Sequence, residues 1–284
     1  MTAQERRQAI VEHLRSTETA AVDAFALMFG VSRMTVHRDL DALVEQRLVR
    51  KVRGGATLLP SIVFEGDYDY RAKQHPGEKG ALGRAAAQLV EPGMALALDD
   101  SSTVAAMLPF LMDKRPLTII TNASPVIRAL ERAEGITLLA LGGVYDRTVA
   151  AYTGLTTERA MRSLRVDRAF MSTACVRAST AYMRDTEEVV RVKLVMMEMA
   201  DESVLLVDHS KFAKTALIRF ADLSAFDRVL VTDGLDRRTR EMLRRDKVRL
   251  EIVRPRSDGA PVREKLEPPQ THELQNEEVP DYVR

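Results

Sequence analysis

Seven short apolar segments, at residues 94–98, 117–120, 137–141, 168–172, 203–207, 228–231 and 249–253, recur through the larger part of the chain. Most are separated by stretches of helical period, among them 79–90, 125–133, 156–164, 187–200 and 236–247. A strand that is apolar along its length needs cover on both faces, and a helix between two strands lets them run parallel. Residues 76–254 are therefore expected to form an α/β domain with a mainly parallel sheet between helices. Ligands of such sheets sit beyond the carboxyl ends of the strands, so the loops that follow the strands are the place to look for function.

Those loops are polar. Residues 99–103 read Asp-Asp-Ser-Ser-Thr and lead into a helix, where hydroxyls and backbone amides can surround a phosphate. Residues 121–125 read Thr-Asn-Ala-Ser-Pro, with Ser124 as cap and Pro125 at the first helical position. Leu-Gly-Gly-Val at 141–144 lets a ligand approach the backbone, and Asp-His-Ser-Lys-Phe at 208–212 adds a cation, Lys211. Taken one at a time, a Ser or Thr before a helix is more often only a cap, and Gly-Gly only a turn. Cys175, the single cysteine, reads as a small buried residue and His209 as structural; no spacing suggests a metal site. No catalytic residue, metal or cofactor is expected.

The first 57 residues have a different grammar. Ile10, Val11 and Leu14 mark a first helix; Val22, Phe25, Ala26 and Phe29 mark a second that stops at Gly30, a residue able to take the left-handed conformation. Ser32 is a natural N-cap for a third helix with Val36, Leu40 and Leu43 or Val44 as its apolar stripe. Helix, glycine turn and capped helix are the parts of a helix-turn-helix, whose last helix leaves its N-terminal face free for a major groove. That face carries Arg33, Thr35, His37 and Arg38. Next, residues 48–58 read as a small β-wing with Arg50, Lys51 and Arg53 near a Gly-Gly turn. Any one of these charges is ordinary on a solvated face; their order is what points to DNA.

The stretch from Phe25 to Ala56 resembles the helix-turn-helix of the DeoR family of transcriptional regulators: Val31, Ser32, Thr35, Val36, Arg38, Asp39, Leu40, Leu43, Leu48, Gly54, Gly55 and Ala56 match its pattern. It departs at His37, where the family has a basic arginine, and at Ala21, where a small hydroxyl residue usually caps the second helix. The later run ALDDSST, IITNAS, LGGV, Gly154, VDRAF, the Glu187-to-Lys193 spacing, LLVDHSKF and VTDG is similar to the DeoR sensor domain, related in fold to ribose-5-phosphate isomerase. The resemblance implies a DNA-facing set of Ser32, Arg33, Thr35, His37, Arg38, Arg50, Lys51 and Arg53. It also implies a sugar-phosphate site lined by Asp99, Ser101, Ser102, Thr103, Thr121, Asn122, Gly142, Gly143 and Lys211. Residues 173–178, Thr-Ala-Cys-Val-Arg-Ala, are bulkier than the family's glycine-bearing segment.

Charge distribution agrees with this division. Residues 32–57 hold six Lys/Arg against three Asp/Glu, whereas 255–284 hold four against seven, with five of the eleven prolines. The expected organisation is a winged helix-turn-helix over 1–57, a linker over 58–75, the sensor domain over 76–254 and a disordered tail over 255–284. No apolar run reaches the roughly 18 residues that span a bilayer, and the charged N-terminus is unlike a signal peptide. A cytoplasmic homodimer or homotetramer is expected, with operator DNA and a phosphorylated sugar as partners and repression as its default sense. The alternative is a sugar-phosphate isomerase-like enzyme carrying an accessory helix-turn-helix, which needs a carboxylate base beside the sugar.

Overall fold

The computed structural model describes residues 1–17, 19–45, 48–58, 68–184, 186–214, 216–254 and 262–266. The N-terminal unit comprises α1 (Ala3–Thr17), β1 (Thr19–Ala21), α2 (Val22–Phe29), α3 (Arg33–Glu45), β2 (Val49–Val52) and β3 (Gly55–Leu58). Ile10 and Leu14 of α1, Phe25 of α2 and Val36, Leu40 and Leu43 of α3 form one buried cluster closed by Val49 and Ala56 of the wing. Gly30 ends α2 at φ 63°, and its N–H bonds the carbonyl of Ala26. The wing has three strands in the order β1-β3-β2. Gly55 is required there, because a Cβ at that position would lie 2.2 Å from the Ala20 carbonyl oxygen of β1.

Ala21 gives α2 no side-chain cap, and Thr19 does not replace it, being paired with Thr57 in the wing. Instead the Gly54 carbonyl at the wing turn accepts the Val22 N–H at 3.0 Å. One of the amides of the first turn, which have no partner within the helix, is thus satisfied from another element.

Next come α4 (Tyr68–Lys73), α5 (Pro76–Ala87), β4 (Ala95–Leu98), α6 (Ser102–Ala105), α7 (Leu108–Leu111), β5 (Leu117–Thr121), α8 (Ser124–Leu130) and β6 (Ile136–Ala140). They are followed by β7 (Val144–Asp146), β8 (Ala151–Thr153), α9 (Leu155–Arg162), β9 (Val166–Met171), β10 (Cys175–Arg177), β11 (Thr180–Met183), α10 (Glu187–Met199) and β12 (Ala200–Val207). The remainder is β13 (Ile218–Asp222), β14 (Arg228–Thr232), α11 (Arg237–Arg245), β15 (Leu250–Arg254) and β16 (Val262–Leu266). The main sheet runs β16-β15-β14-β12-β9-β4-β5-β6, parallel throughout except for β16. All seven expected strands are in it.

Alternate residues of each central strand serve opposite layers. Leu96, Leu98, Phe170, Leu206 and Leu230 pack with α5 and α8 through Leu82, Ala86 and Val126. Ala97, Ala169, Met171, Leu205 and Val229 pack with α9, α10 and α11 through Met161, Val192, Met196 and Leu243. At the amino ends of the strands, Glu202 joins Arg168 at 2.7 Å to Arg228, which reaches Glu251 at 2.9 Å. This ladder occupies that end of the sheet with paired charge and leaves the carboxyl ends for the loops.

Three features depart from expectation. Residues 175–177, 180–183 and 218–222, none of them among the expected strands, make a separate antiparallel sheet, β10-β11-β13. Residues 262–266, inside the expected disordered tail, form an edge strand against β15; the rest of 255–284 lies outside the described residues. The expected linker 58–75 ends in α4, while 59–67 lie outside the described residues. Among the described residues no helix is long and apolar enough to cross a membrane.

Candidate functional site

On the N-terminal unit, Ser32 Oγ accepts the Thr35 N–H at 3.2 Å and meets the Thr35 hydroxyl at 2.9 Å. These two expected DNA-facing residues are therefore engaged in capping α3, which fixes the helix start. Arg33 is exposed and held by Asp23 of α2 at 2.7 Å. His37 and Arg38 are exposed on α3, Arg50 and Arg53 on the wing, and none of the four has an ion-pair partner among the described residues. Lys51 bonds Asp41 of α3, which ties the wing to that helix. Met34, which sequence reasoning passed over, stands 63% exposed between Arg33 and His37.

Asp39 is the buried counterweight. Its carboxylate, 3% exposed, accepts Arg6 Nε at 2.5 Å and Arg7 Nε at 3.1 Å, joining α1 to α3. The sequence pattern marked Asp39 as matching but gave it no role.

In the larger unit, the expected residues gather unequally. Asp99, Ser101, Ser102 and Thr103 follow β4, while Thr121 ends its neighbour β5 and Asn122 follows it; all six are buried. Gly142 and Gly143 lie exposed after β6, the next strand out. Lys211 is buried in the turn after β12, two strands from β4 on the other side.

Several of these side chains are committed to the protein. Asp99 Oδ1 accepts the Ser101 N–H at 2.9 Å, and Oδ2 accepts the Ser172 N–H at 2.8 Å and an ammonium proton of Lys193. Ser101 Oγ caps α6 by accepting the Val104 N–H at 3.1 Å. Thr121 Oγ1 donates to the Leu98 carbonyl at 2.7 Å and accepts the Ala123 N–H at 3.1 Å, so its hydroxyl shapes the loop. Gly143 is needed for internal packing: a Cβ there would lie 2.1 Å from Thr157 Oγ1 and 2.5 Å from the Thr153 carbonyl oxygen.

Other acceptors remain open. Asp100 Oδ2, Asn122 Oδ1 and Asp208 Oδ2 are buried at the ends of β4, β5 and β12 without a hydrogen-bond partner among the described residues. Buried acceptors of this kind call for donors.

Three cations that sequence reasoning did not assign to the site stand close by. Lys193, 1% exposed on α10, bonds Asp99 and reaches Asp100 Oδ1 at 2.8 Å. Burial pulls its ammonium toward neutrality, but the Asp100 and Asp99 charges outweigh burial and hold it above the ordinary lysine range. The same pair works on Asp100: burial pushes its carboxyl up, Lys193 and then Arg71 outweigh it, and the carboxylate stays below its usual range. Lys79, 5% exposed on α5, donates to Ser102 Oγ at 3.0 Å and to the carbonyl of Arg71. The spacing of Glu187 to Lys193 was the available signal for Lys193, whereas Lys79 and Arg71 carry none in a single sequence.

His209 accepts or donates at Thr232 Oγ1, 3.1 Å away, and faces Glu78 at 3.5 Å; Cys175 is buried in β10. Among the described residues no group of His, Cys, Asp and Glu is arranged to hold a metal ion.

The sequence matches the DeoR-like helix-turn-helix domain over residues 6–61 and the DeoR C terminal sensor domain over residues 74–234. The chain belongs to the DeoR family. The HTH-type transcriptional repressor GlcR of Bacillus subtilis (strain 168) is 31% identical over 236 residues, covering 83% of this chain and 90% of that one. The putative aga operon transcriptional repressor of Escherichia coli O157:H7 is 26% identical over 251 residues, with 88% and 93% covered. IolR, an HTH-type transcriptional regulator of B. subtilis (strain 168), is 27% identical over 231 residues, with 81% and 92% covered. Among solved structures, ribose 5-phosphate isomerase A from Methanocaldococcus jannaschii aligns at 21% identity over 49% of this chain and 55% of that one, with a TM-score of 0.37. As a DeoR-family member, the protein is a DNA-binding transcriptional regulator with a sensor domain.

Proposed function

We propose that this DeoR-family protein binds operator DNA through α3 and the wing, and that a phosphorylated sugar at the carboxyl ends of β4, β5, β6 and β12 modulates that binding. Two relatives are repressors by name, and repression is the sense proposed here. The observation that carries the reading is the joining of an exposed basic helix and ribbon, with His37, Arg38, Arg50 and Arg53, to strand ends where Lys79 and Lys211 lie buried beside open acceptors.

The roles divide by geometry. Arg38 and His37 read base edges, Arg50 and Arg53 approach phosphates, and Ser32, Thr35, Arg33 and Lys51 position the helix and wing. Ser102, Thr103, Asn122, Gly142 and Lys211 contact the effector, with Asp99, Ser101, Thr121 and Gly143 shaping its loops. The units proposed are 1–57 for DNA and 76–254 for the effector, acting as a cytoplasmic homodimer or homotetramer so that two recognition helices meet a repeated half-site. Catalysis is not part of this reading: both carboxylates that follow β4, Asp99 and Asp100, are engaged by Lys193.

The test is a panel of sugar phosphates scored by melting temperature, followed by gel shifts on the region upstream of the protein's own gene. A ligand at 100 times its Kd is expected to stabilise the protein by about 2.7 kcal/mol and to weaken the shifted complex. Failure of any duplex to bind at low salt would overturn the regulator reading, and an unmoved melting temperature across the panel would overturn the effector.

A further inference from the structure

We propose that the exposed basic side of α11 is a docking surface for an acidic segment of the same chain, residues 267–284. The inference goes beyond the regulator reading and depends on no effector. Both parts lie past the sensor-domain match, which ends at residue 234.

Residues 236–249 hold seven Lys/Arg and three Asp/Glu. Each of the three carboxylates is already engaged. Asp236 caps α11 by accepting the Thr239 N–H at 2.7 Å, Glu241 pairs with Arg237 at 2.7 Å, and Asp246 accepts the Ser179 hydroxyl. Arg240 is paired with Asp233 at 2.6 Å and Arg249 with Asp227 at 3.0 Å. That leaves Arg238, Arg244, Arg245 and Lys247, all exposed and none with an ion-pair partner among the described residues. The helix itself does not ask for them. Arg238 stands in the first turn of α11, where the helix dipole disfavours a cation; only Arg244 and Arg245, in the last turn, are placed as the dipole prefers. Arg238 and Arg245, two turns apart, lie on the side away from buried Leu243.

The sheet delivers the acidic segment to this place. Val262 of β16 is paired with Arg254 of β15 and Leu266 with Leu250, so the chain leaves the sheet at the amino end of β15. That end adjoins residues 246–249, the turn that closes α11 and carries Lys247. The residues that follow, 267–284, hold five carboxylates, Glu267, Glu273, Glu277, Glu278 and Asp281, against Arg284 alone. Asp281 is fifteen residues beyond Leu266, a reach of up to about 50 Å, while the nine residues of α11 span about 14 Å.

Tethering decides between occupants. A segment fixed beside the surface presents its carboxylates at an effective concentration in the millimolar range, whereas a duplex or a second copy must arrive from solution. Exposed ion pairs are weak one by one and screened by salt; four cations facing five carboxylates on one tether act together. Covered in this way, α11 is withdrawn from nucleic acid, and the exposed charge left to meet DNA is that of α3 and the wing.

The experiment treats the full chain at low salt with a carbodiimide, which joins a carboxylate to an amine where the two touch, and reads the digested product by mass spectrometry. Lys247 is the only lysine between Lys214 and Lys265, so its peptide reports on this surface. An amide between Lys247 and one of the five carboxylates of 267–284 is expected. Its yield should fall at least about threefold in 0.5 M salt, where charges are screened within a few ångströms. The double variant Arg244→Gln, Arg245→Gln, which keeps the amine and removes its neighbours' charge, should lower the yield by a similar factor. Should that variant fail to fold, the salt series on the parent carries the same test. When chains with light and heavy nitrogen are refolded together, docking within one chain gives only unmixed products. A product joining light to heavy overturns the same-chain occupant in favour of a second copy, and a yield unmoved by salt or by the folded double variant overturns the basic surface. Absence of the amide overturns the proposal outright, and protection of Lys247 from acetylation by random duplex would then assign α11 to nucleic acid instead.

Discussion

Lys193 Nζ lies 2.8 Å from Asp100 Oδ1 and bonds Asp99 as well, so α10 is fastened to the end of β4 by one ammonium shared between two carboxylates. All three groups are almost fully removed from water. Removing one partner of such a cluster leaves uncompensated buried charge, and Lys193→Met is expected to cost about 3–5 kcal/mol in denaturant unfolding. The pH dependence is a sharper check. Asp100, held low, contributes stability above its unfolded value of 3.8 that is lost as pH falls through the folded value. Lys193, held high, contributes stability below its unfolded value of 10.5 that is lost as pH rises through the folded value. Neither group tilts the parent's curve between about pH 5 and 9. In Lys193→Met the buried Asp100 carboxyl loses its cation and titrates upward, so the variant should gain stability as pH falls from about 7 to 5. A flat curve there would show that water, not Lys193, solvates the pair.

Asp39 poses the same question in the DNA-binding unit. With Arg6 at 2.5 Å and Arg7 at 3.1 Å, Asp39→Ala strands an arginine whose side chain is only 10% exposed. A loss of about 3 kcal/mol is expected, confined to the N-terminal unit. Amide hydrogen exchange checks this: protection of α1 and α3 should collapse while the central strands β9 and β12 exchange as in the parent. Equal protection in α1 would mean that the apolar cluster around Phe25 and Leu40 holds the helices without the ion pairs.

What the sequence disclosed, and what it withheld, follows one physical rule. Periodicity reports the burial of apolar side chains, so the seven parallel strands and the helices that cover them were legible to within a few residues, as was the helix–Gly30–helix of the N-terminal unit. Strands that exist only through a distant partner were not: Thr19–Ala21 is defined by pairing with β3, and β10, β11 and β13 by one another. The strand-end loops were likewise legible, because hydroxyls and glycines stand out after apolar runs. Lys79 was not, since a buried lysine on a helix looks like a solvated one until its hydroxyl partner is placed beside it, and Lys193 showed only through its spacing from Glu187. Arg71 sat in a stretch that reads as linker.

The wing separates two kinds of basic residue. Arg53 stands at the turn with no ion pair among the described residues, whereas Lys51 is paired with Asp41. Every phosphate that a protein ceases to neutralise makes the slope of log affinity against log salt shallower by about 0.9. Arg53→Ala is expected to show that change at every sequence tested, and Lys51→Ala a smaller one, because Asp41 already offsets its charge. Arg38→Ala should behave differently, weakening the operator far more than random duplex. Equal slopes for Arg53→Ala and the parent would remove the wing tip from the DNA backbone.

The adjacent glycines after β6 allow internal packing to be told apart from ligand approach. A Cβ on Gly143 meets Thr157 Oγ1 at 2.1 Å and the Thr153 carbonyl at 2.5 Å, while one on Gly142 meets nothing within 4 Å. Gly143→Ala therefore forces the backbone of β8 to move, and a loss of about 1–3 kcal/mol is expected. Adding Thr157→Ala should not restore it, because the Thr153 carbonyl is part of the main chain. Gly142→Ala should unfold within about 0.5 kcal/mol of the parent, yet its methyl group stands where a sugar phosphate would lie against the loop, so binding in calorimetry should weaken. Parent-like affinity in folded Gly142→Ala would confine the effector to the β4, β5 and β12 ends and leave the β6 loop a purely structural turn.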